Sequence, residues 1–172
     1  MLSDSLIRLR ALEAADATTL FDLENLTEFW RTSSTLAPYS HRNIMRYIDS
    51  YDADPFHSGE LRLAIETKAC KETVGFVDLY NIEIKHRRAC IGIIIAPAHQ
   101  QNGYAHSALT LIEKYCRELL CLYQLLVAIP SDHKSSLNLF QKCGFNKIAT
   151  LPHYLSAGNA TYIDAIVLNK IL

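Results

Sequence analysis

The sequence predicts an α/β (α+β) chain with a mixed, mostly antiparallel central sheet flanked by helices, in the order β-α-α-β-β-β-α-β-α-β-β. Three observations lead there. Period-two or wholly apolar runs alternate with helically spaced segments along the chain. Three strand-like runs are consecutive in the middle, as in an antiparallel meander. Helices then separate the later strands, the pattern of a layered sheet. The 172 residues are 49% apolar and 20% charged, which suits one globular domain over residues 1–172. No repeat, low-complexity linker or internal boundary divides it.

The elements follow in order. "SLIRLRAL" (5–12) alternates apolar and basic residues and reads as a strand. "EAADATTLFDLEN" (13–25) spaces Ala17, Leu20, Phe21 and Glu24 as a helix does. Ser40 can N-cap a second helix running through Tyr51. "LRLAIET" (61–67), "TVGFVDLYNIEI" (73–84) and "ACIGIIIAP" (89–97) form the meander, with "KHRR" (85–88) as its polar turn. A helix is expected from Tyr104 to about Leu119. "YQLLVAI" (123–129) is short and almost wholly apolar, so it belongs in the sheet interior. "SSLNLFQKCG" (135–144) reads as a helix stopped by Gly144. "FNKIATLPHYL" and "TYIDAIVLNKIL" close the chain as two strands around "SAGNA" (156–160).

Bulk properties exclude several classes. The formal net charge is −1, without the basic excess expected for nucleic-acid binding. The five cysteines, Cys70, Cys90, Cys116, Cys121 and Cys143, are odd in number and form no CxxC. Neither a zinc site nor a disulfide framework is expected, and reduced thiols fit a cytoplasmic address. No secretory h-region opens the chain, and "LLCLYQLLVAI" (119–129) is too short to span a bilayer.

"HQQNGYAHSAL" (99–109) connects an apolar strand to a helix. The first N–H groups of a helix lack intrahelical partners, and the helix dipole adds positive charge there. Small residues, here Gly103 and Ala105, let a phosphate approach. Gln100, Gln101 and Asn102 offer neutral donors around the rim. The pattern suits a pyrophosphate, but it equally suits a plain strand-to-helix turn that uses Gly103 for its backbone. It is neither a Walker loop nor GxGxxG.

"QQNGYA" (100–105) resembles the Gln/Arg-x-x-Gly-x-Gly/Ala signature of the GNAT N-acetyltransferase superfamily. "DHKSSLNLFQKCGF" (132–145) resembles its second motif, "HRRACIGIIIAP" (86–97) its central strand with the turn before it, and "LIRLRALEAADA" its opening strand and helix. "GNATYIDAIVL" (158–168) resembles its closing hairpin. The similarity runs nearly end to end and is nearest the branch of ribosomal-protein N-terminal acetyltransferases and spermidine acetyltransferases. It implies acetyl-CoA as donor and transfer to a primary amine by direct attack in a ternary complex. A catalytically impaired acyl-CoA-binding module of the same fold is the alternative. By resemblance, backbone groups of residues 101–105, Tyr104 among them, hold the pyrophosphate. Backbone groups near Ile94 and Ile95 meet the pantetheine arm, His133 and Ser136 close over it, and Lys142 reaches the nucleotide phosphates. No metal is implied.

The resemblance also marks departures. The family's usual tyrosine acid falls at Phe140, which has no proton to give, and Cys90 stands where relatives often carry glutamate. Asp78 and Tyr80, on one face of their strand, and Tyr154 remain as candidate catalytic groups, each with an ordinary structural reading beside it. Trp30 and Tyr39, with the carboxylates Asp49, Asp52, Asp54 and Glu60, are candidates for the acceptor side. They suit a cationic amine (a polyamine, a peptide N-terminus or an amino sugar), and a solvated loop equally well. A homo-oligomer through the closing hairpin is a further expectation, with no nucleic-acid or membrane partner.

Overall fold

The computed structural model describes residues 2–30, 33, 35–158 and 160–172. Seven strands form one sheet in the order β1-β2-β3-β4-β5-β7-β6. They are β1 (Ile7–Arg10), β2 (Leu61–Thr67), β3 (Thr73–Glu83), β4 (Arg88–Ile95), β5 (Gln124–Pro130), β6 (Asn146–Gly158) and β7 (Thr161–Ile171). Among the described residues, six α-helices join them: α1 (Ala17–Glu24), α2 (Thr27–Trp30), α3 (His41–Asp49), α4 (Pro55–Ser58), α5 (Tyr104–Glu118) and α6 (Lys134–Lys142). Every neighbouring strand pair is antiparallel except β4–β5.

The expected elements are present, with two short helices, α2 and α4, added. α4 carries its own punctuation: Asp54 accepts from the N–H groups of Phe56 and His57, Pro55 starts the helix, and Gly59 follows it with φ +75°. The opening strand is shorter than its alternation suggested. A single 3-10 turn at Ala14–Asp16 precedes α1, because the Asp16 carboxylate is turned back onto the Glu13 N–H and onto Arg10. The second expected helix ends at Asp49, with Ser40 accepting from the Asn43 N–H at its start. β6 extends through 158, into the segment expected as a turn, whose Asn159 lies outside the described residues.

Alternation along β2 and β3 sends the two faces to different helices. Leu61, Leu63, Ile65, Val77 and Leu79 pack with Leu109 and Ile112 of α5, whereas Ala64 and Phe76 pack with Leu20, Leu23 and Ile44 of α1 and α3. β3 and β4 approach closely at Gly75. A Cβ there would lie 2.1 Å from the Ile94 carbonyl oxygen, so only glycine fits.

The parallel joint is the feature that creates a site. β4 and β5 pair only at Arg88–Gln124, Ala89–Leu125 and Cys90–Leu126. Beyond Cys90 the strands diverge, while β4 keeps its bonds to β3 as far as Ile95. The sheet therefore has two arms, β1 to β4 and β5-β7-β6, joined at a short apex.

Candidate active site

The divergence of β4 from β5 opens a cavity of about 1060 Å³, lined by both strands, by the start of α5, by α6 and by the α1–α3 side of the sheet. That volume is at the upper end of ordinary ligand sites. Ala96 donates to Val74, and the Ile94 carbonyl points at Gly75. Since strand residues alternate in direction, Ile94 bonds toward β3. Ile93 and Ile95 turn their main-chain groups to the gap. The Ile95 carbonyl accepts from the Gln100 side chain at 3.1 Å. Ile94 lines the cavity without offering it a backbone donor.

At the far end of β4, the turn 100–103 delivers the start of α5 to the same cavity. Gln101 has φ +63° and Gly103 φ +82°. Gly103 is the N-cap, and no side chain caps the helix. The first intrahelical bond reaching back to it comes from Ser107, so the N–H groups of Tyr104, Ala105 and His106 are the orphan donors of the first turn. The expected rim of amide donors is differently used. Asn102 Nδ2 donates to the carbonyls of His99 and Gln100, at 3.1 and 3.2 Å. Gln100 and Asn102 thus brace the turn from inside, and the donors left for an anion are main-chain ones. Asp4 sits beside this turn of helix, bonded to the Ser107 hydroxyl and to the N–H groups of Leu6 and Ile7. Burial pushes its carboxyl up, but these hydrogen bonds prevail and hold it below the usual range.

α6 forms the opposite wall. His133 is its N-cap, with Nδ1 accepting from the Ser136 N–H at 3.3 Å. His133, Ser136 and Lys142 line the cavity, as does the ring of Phe140, which is 2% exposed. Phe140 stacks edge-on to Phe145, with centroids 5.1 Å apart. Cys143 is buried, and burial pushes its thiol up to about 11, which leaves it unsuited as a nucleophile.

Asp78 and Tyr80 meet at Gly92 of β4. A Cβ on Gly92 would touch the Tyr80 ring at 3.7 Å and Asp78 at 4.0 Å. Asp78 is gripped by Arg62, and a third Arg62 donor reaches Glu24 Oε1 at 2.7 Å. The guanidinium also lies 5.7 Å from the centroid of the Tyr47 ring. Arg62 is missing from the residues that the sequence singled out, since its partners are distant in the chain. Tyr80 is 39% exposed as a residue, yet desolvation at its hydroxyl, with Cys90, Asp78 and Tyr154 adding, raises it to about 12, so it is protonated at neutral pH. Tyr154 itself is 61% exposed on β6 and does not line the cavity.

Of the residues expected on the acceptor side, Trp30 donates to the Glu24 carbonyl at 2.8 Å and lines the cavity with Glu24 and Glu60. The other acidic candidates are engaged elsewhere. Asp52 pairs with His57 at 2.5 Å in the open, and Asp54 caps α4. Neither they nor Asp49 and Tyr39 line the cavity. Arg31, Thr32 and Ser34 of this segment lie outside the described residues. Among the described residues, no cluster of His, Cys, Asp and Glu is placed to hold a metal. No helix is long and apolar enough to cross a membrane.

A splayed sheet joint beside an uncapped helix start defines an α/β fold with one cleft that has apolar walls and main-chain donors at its end, and comparison gives the class its name. Residues 7–146 match the family model of the acetyltransferase (GNAT) domain, and the chain belongs to that family. The spermidine N(1)-acetyltransferase of Escherichia coli K12 is 30% identical over 163 residues, covering 93% of this chain and 83% of the relative. The Vibrio cholerae enzyme of the same name is 28% identical over 145 residues, covering 83% and 80%. The crystal structure of the spermidine N-acetyltransferase from Vibrio cholerae in complex with CoA and spermine superposes with a TM-score of 0.83 at 26% identity. The match covers 98% of this chain and 96% of that one. The similarity thus runs to the spermidine acetyltransferase branch, and the chain is an acetyl-CoA-dependent N-acetyltransferase.

Proposed function

We propose that the 172 residues form one acetyltransferase domain that moves the acetyl group of acetyl-CoA to a primary amine of a polyamine, by direct attack within a ternary complex. One observation carries the reading: the gap between β4 and β5 and the uncapped start of α5 open into one cavity. Bound acetyl-CoA supplies an activated thioester. The chain supplies positioning. N–H groups of residues 104–106 hold the pyrophosphate, with Gln101 at the rim. Ile93 and Ile95 offer main-chain N–H groups along the gap, and α6 closes the other side. Alignment of the two reactants accounts for much of the rate.

In this reading Tyr80 is the proton donor at the reacting centre, since it stays protonated and lines the cavity where Phe140 has nothing to give. Asp78 is a wall residue held by Arg62. Tyr154 acts only on Tyr80 from outside. The amine loses its proton to water on the open acceptor side, where Glu24, Glu60 and Trp30 suit a cationic chain. The name of the Escherichia coli relative and the spermine in the Vibrio cholerae complex support a polyamine over a peptide or amino sugar. A homo-oligomer through the β6–β7 hairpin belongs to the same reading. The relative from Vibrio cholerae is described as dodecameric, and Tyr154, Tyr162 and Ile148 are exposed here.

Calorimetric titration with acetyl-CoA, followed by spermidine, tests the reading. Micromolar acetyl-CoA binding that is abolished by Gly103→Glu, through bulk and like charge at the α5 start, is the expected result. Unchanged affinity in that variant would remove the loop assignment. Acetylation of peptide N-termini but not of spermidine would replace the acceptor.

A further inference from the structure

α6 is the wall of the cleft that β4 does not hold, and its C-terminal end is anchored by a group the reaction does not use. The helix closes with a Schellman turn. Phe145 N–H returns to the Phe140 carbonyl at 3.0 Å, and Gly144 N–H to that of Gln141 at 2.9 Å. The Phe140–Phe145 ring contact supplies the apolar clasp usual in this motif. The carbonyl of Cys143, the C-cap residue, takes a side-chain donor instead. Lys170 Nζ, from β7, donates to it at 2.5 Å. The same ammonium donates at 2.5 Å to Oε2 of Glu113 on α5 and stands 5.9 Å from the Phe145 ring centroid.

The placement of this contact matters more than its strength. α5 packs on the first arm, with its core side chains against β2 and β3, whereas Lys170 belongs to the second. Lys170 pairs with Leu125 across the sheet, and Leu125 pairs with Ala89. The bond therefore crosses between the arms at the rungs where β4 and β5 still touch, just before they diverge. Glu113 is 9% exposed, and its Oε1 is buried without a partner. Lys170 is thus the sole cation paired with that carboxylate among the described residues.

We propose that Glu113 and Lys170 are a positioning pair. They fix the end of α6 against the first arm, and so set where Phe140 and Ser136 stand in the cofactor cleft. The inference rests on the acetyl-CoA reading and adds residues that touch neither reactant. Without the ammonium, the α6 end loses its polar tie to α5 and keeps only the apolar packing of Phe140, Cys143 and Phe145 in the cluster shared with Leu109 and Ile112, so the cleft wall shifts while the reacting centre at Gly92 does not.

The test compares wild type, Lys170→Met, Glu113→Gln and the double variant for acetyl-CoA affinity by calorimetry, for KM and kcat with spermidine, and for Tm. Lys170→Met should weaken acetyl-CoA about tenfold in Kd and KM, a usual size for coupling between separate sites, with kcat within about twofold. It should also lower Tm, because it leaves a buried carboxylate unpaired. The double variant has no orphaned charge, so its Tm should recover toward wild type while its weakened acetyl-CoA binding persists. That split separates positioning from simple stabilisation. Recovery of both Tm and affinity in the double variant would overturn the proposal, as would a Lys170→Met variant altered in Tm alone. A wild-type protein that fails to bind acetyl-CoA would overturn the cofactor reading, and this inference with it.

Discussion

Arg62 holds Asp78 through two parallel hydrogen bonds, Nε to Oδ1 at 2.6 Å and an Nη to Oδ2 at 2.9 Å. Both carboxylate oxygens thus accept from one planar fork, the strong bidentate arrangement. The third Arg62 contact, to Glu24, ties β2 and β3 to α1. This makes Asp78 part of the α1-side wall of the cleft, the side the proposed reading gives to the acceptor. Arg62→Met should therefore cost about 3 kcal/mol, roughly 6–12 °C in Tm, toward the low end for a broken ion pair because water reaches this one. Acetyl-CoA affinity should move less than about twofold, since the pair lies on the acceptor side. Thermal unfolding and calorimetry check both. A variant with unchanged Tm and lost acetyl-CoA binding would contradict this placement.

Tyr80 gives a prediction with a pH sign. An acid must be protonated to act, and its hydroxyl is pushed up to about 12 by burial and by Cys90, Asp78 and Tyr154. No alkaline limb from Tyr80 should thus appear in kcat between pH 7 and 10. Tyr80→Phe should lower kcat about a hundredfold, the lower end of general acid effects, and leave acetyl-CoA affinity unchanged. A variant retaining full kcat would remove Tyr80 from the chemistry.

Much of the fold was legible, because each long element announces itself locally. β2 shows its alternation, α5 its apolar spacing, and α6 its terminal Gly144. The four-residue α2 and α4 are too short for periodicity to register, although Asp54, Pro55 and Gly59 together carry a helix start and stop. The open start of α5 was readable from Gly103 and Ala105, and the structure leaves it without a side-chain cap. The cleft itself was not, since nothing in "CIGIIIAP" marks Cys90 as the last residue paired with β5. Arg62 was invisible for the same reason. Its partners lie 16 and 38 residues away, and only the sheet register brings them together. Gln100 and Asn102 show the limit from the other side: their composition suggested ligand donors, whereas the turn uses both internally.

Gly75 couples the fold to the cleft. A methyl group there would meet the Ile94 carbonyl at 2.1 Å and Ile95 atoms at 3.0 Å. Both obstacles include main chain, which cannot swing aside as a side chain would. Gly75→Ala should then push β4 from β3, costing about 3 kcal/mol as overpacking. Because Ile95 turns its N–H toward the gap, acetyl-CoA affinity should fall along with Tm. An alanine variant with normal melting and normal affinity would show that β4 has freedom the packing denies.

Acid stability should be set at the other edge of the sheet. Arg10 donates to Asp16 at 2.7 and 2.8 Å and to Glu66 at 2.6 Å, and Arg8 joins it on Glu66. Burial raises the Asp16 carboxyl, but hydrogen bonds from Arg10, Glu13 and Thr73 outweigh it and leave it below its ordinary 3.8. Glu66 is held below its ordinary 4.5, chiefly by Arg8, against some desolvation. Both groups thus have lower pKa values folded than unfolded, so their stabilisation is complete above the unfolded values. It drains away as pH falls through the folded ones. Tm should be nearly flat from pH 7 to about 5 on account of these groups and then drop steeply below about 4. Arg10→Met should lower Tm at pH 7, since Asp16 at 1% exposure loses its counterion. It should also flatten the acid drop, because Asp16 without its partner is no longer held low and protonation no longer penalises the folded state. Melting curves of both proteins across this range decide it: equal acid slopes would mean that the network contributes nothing to the pH dependence.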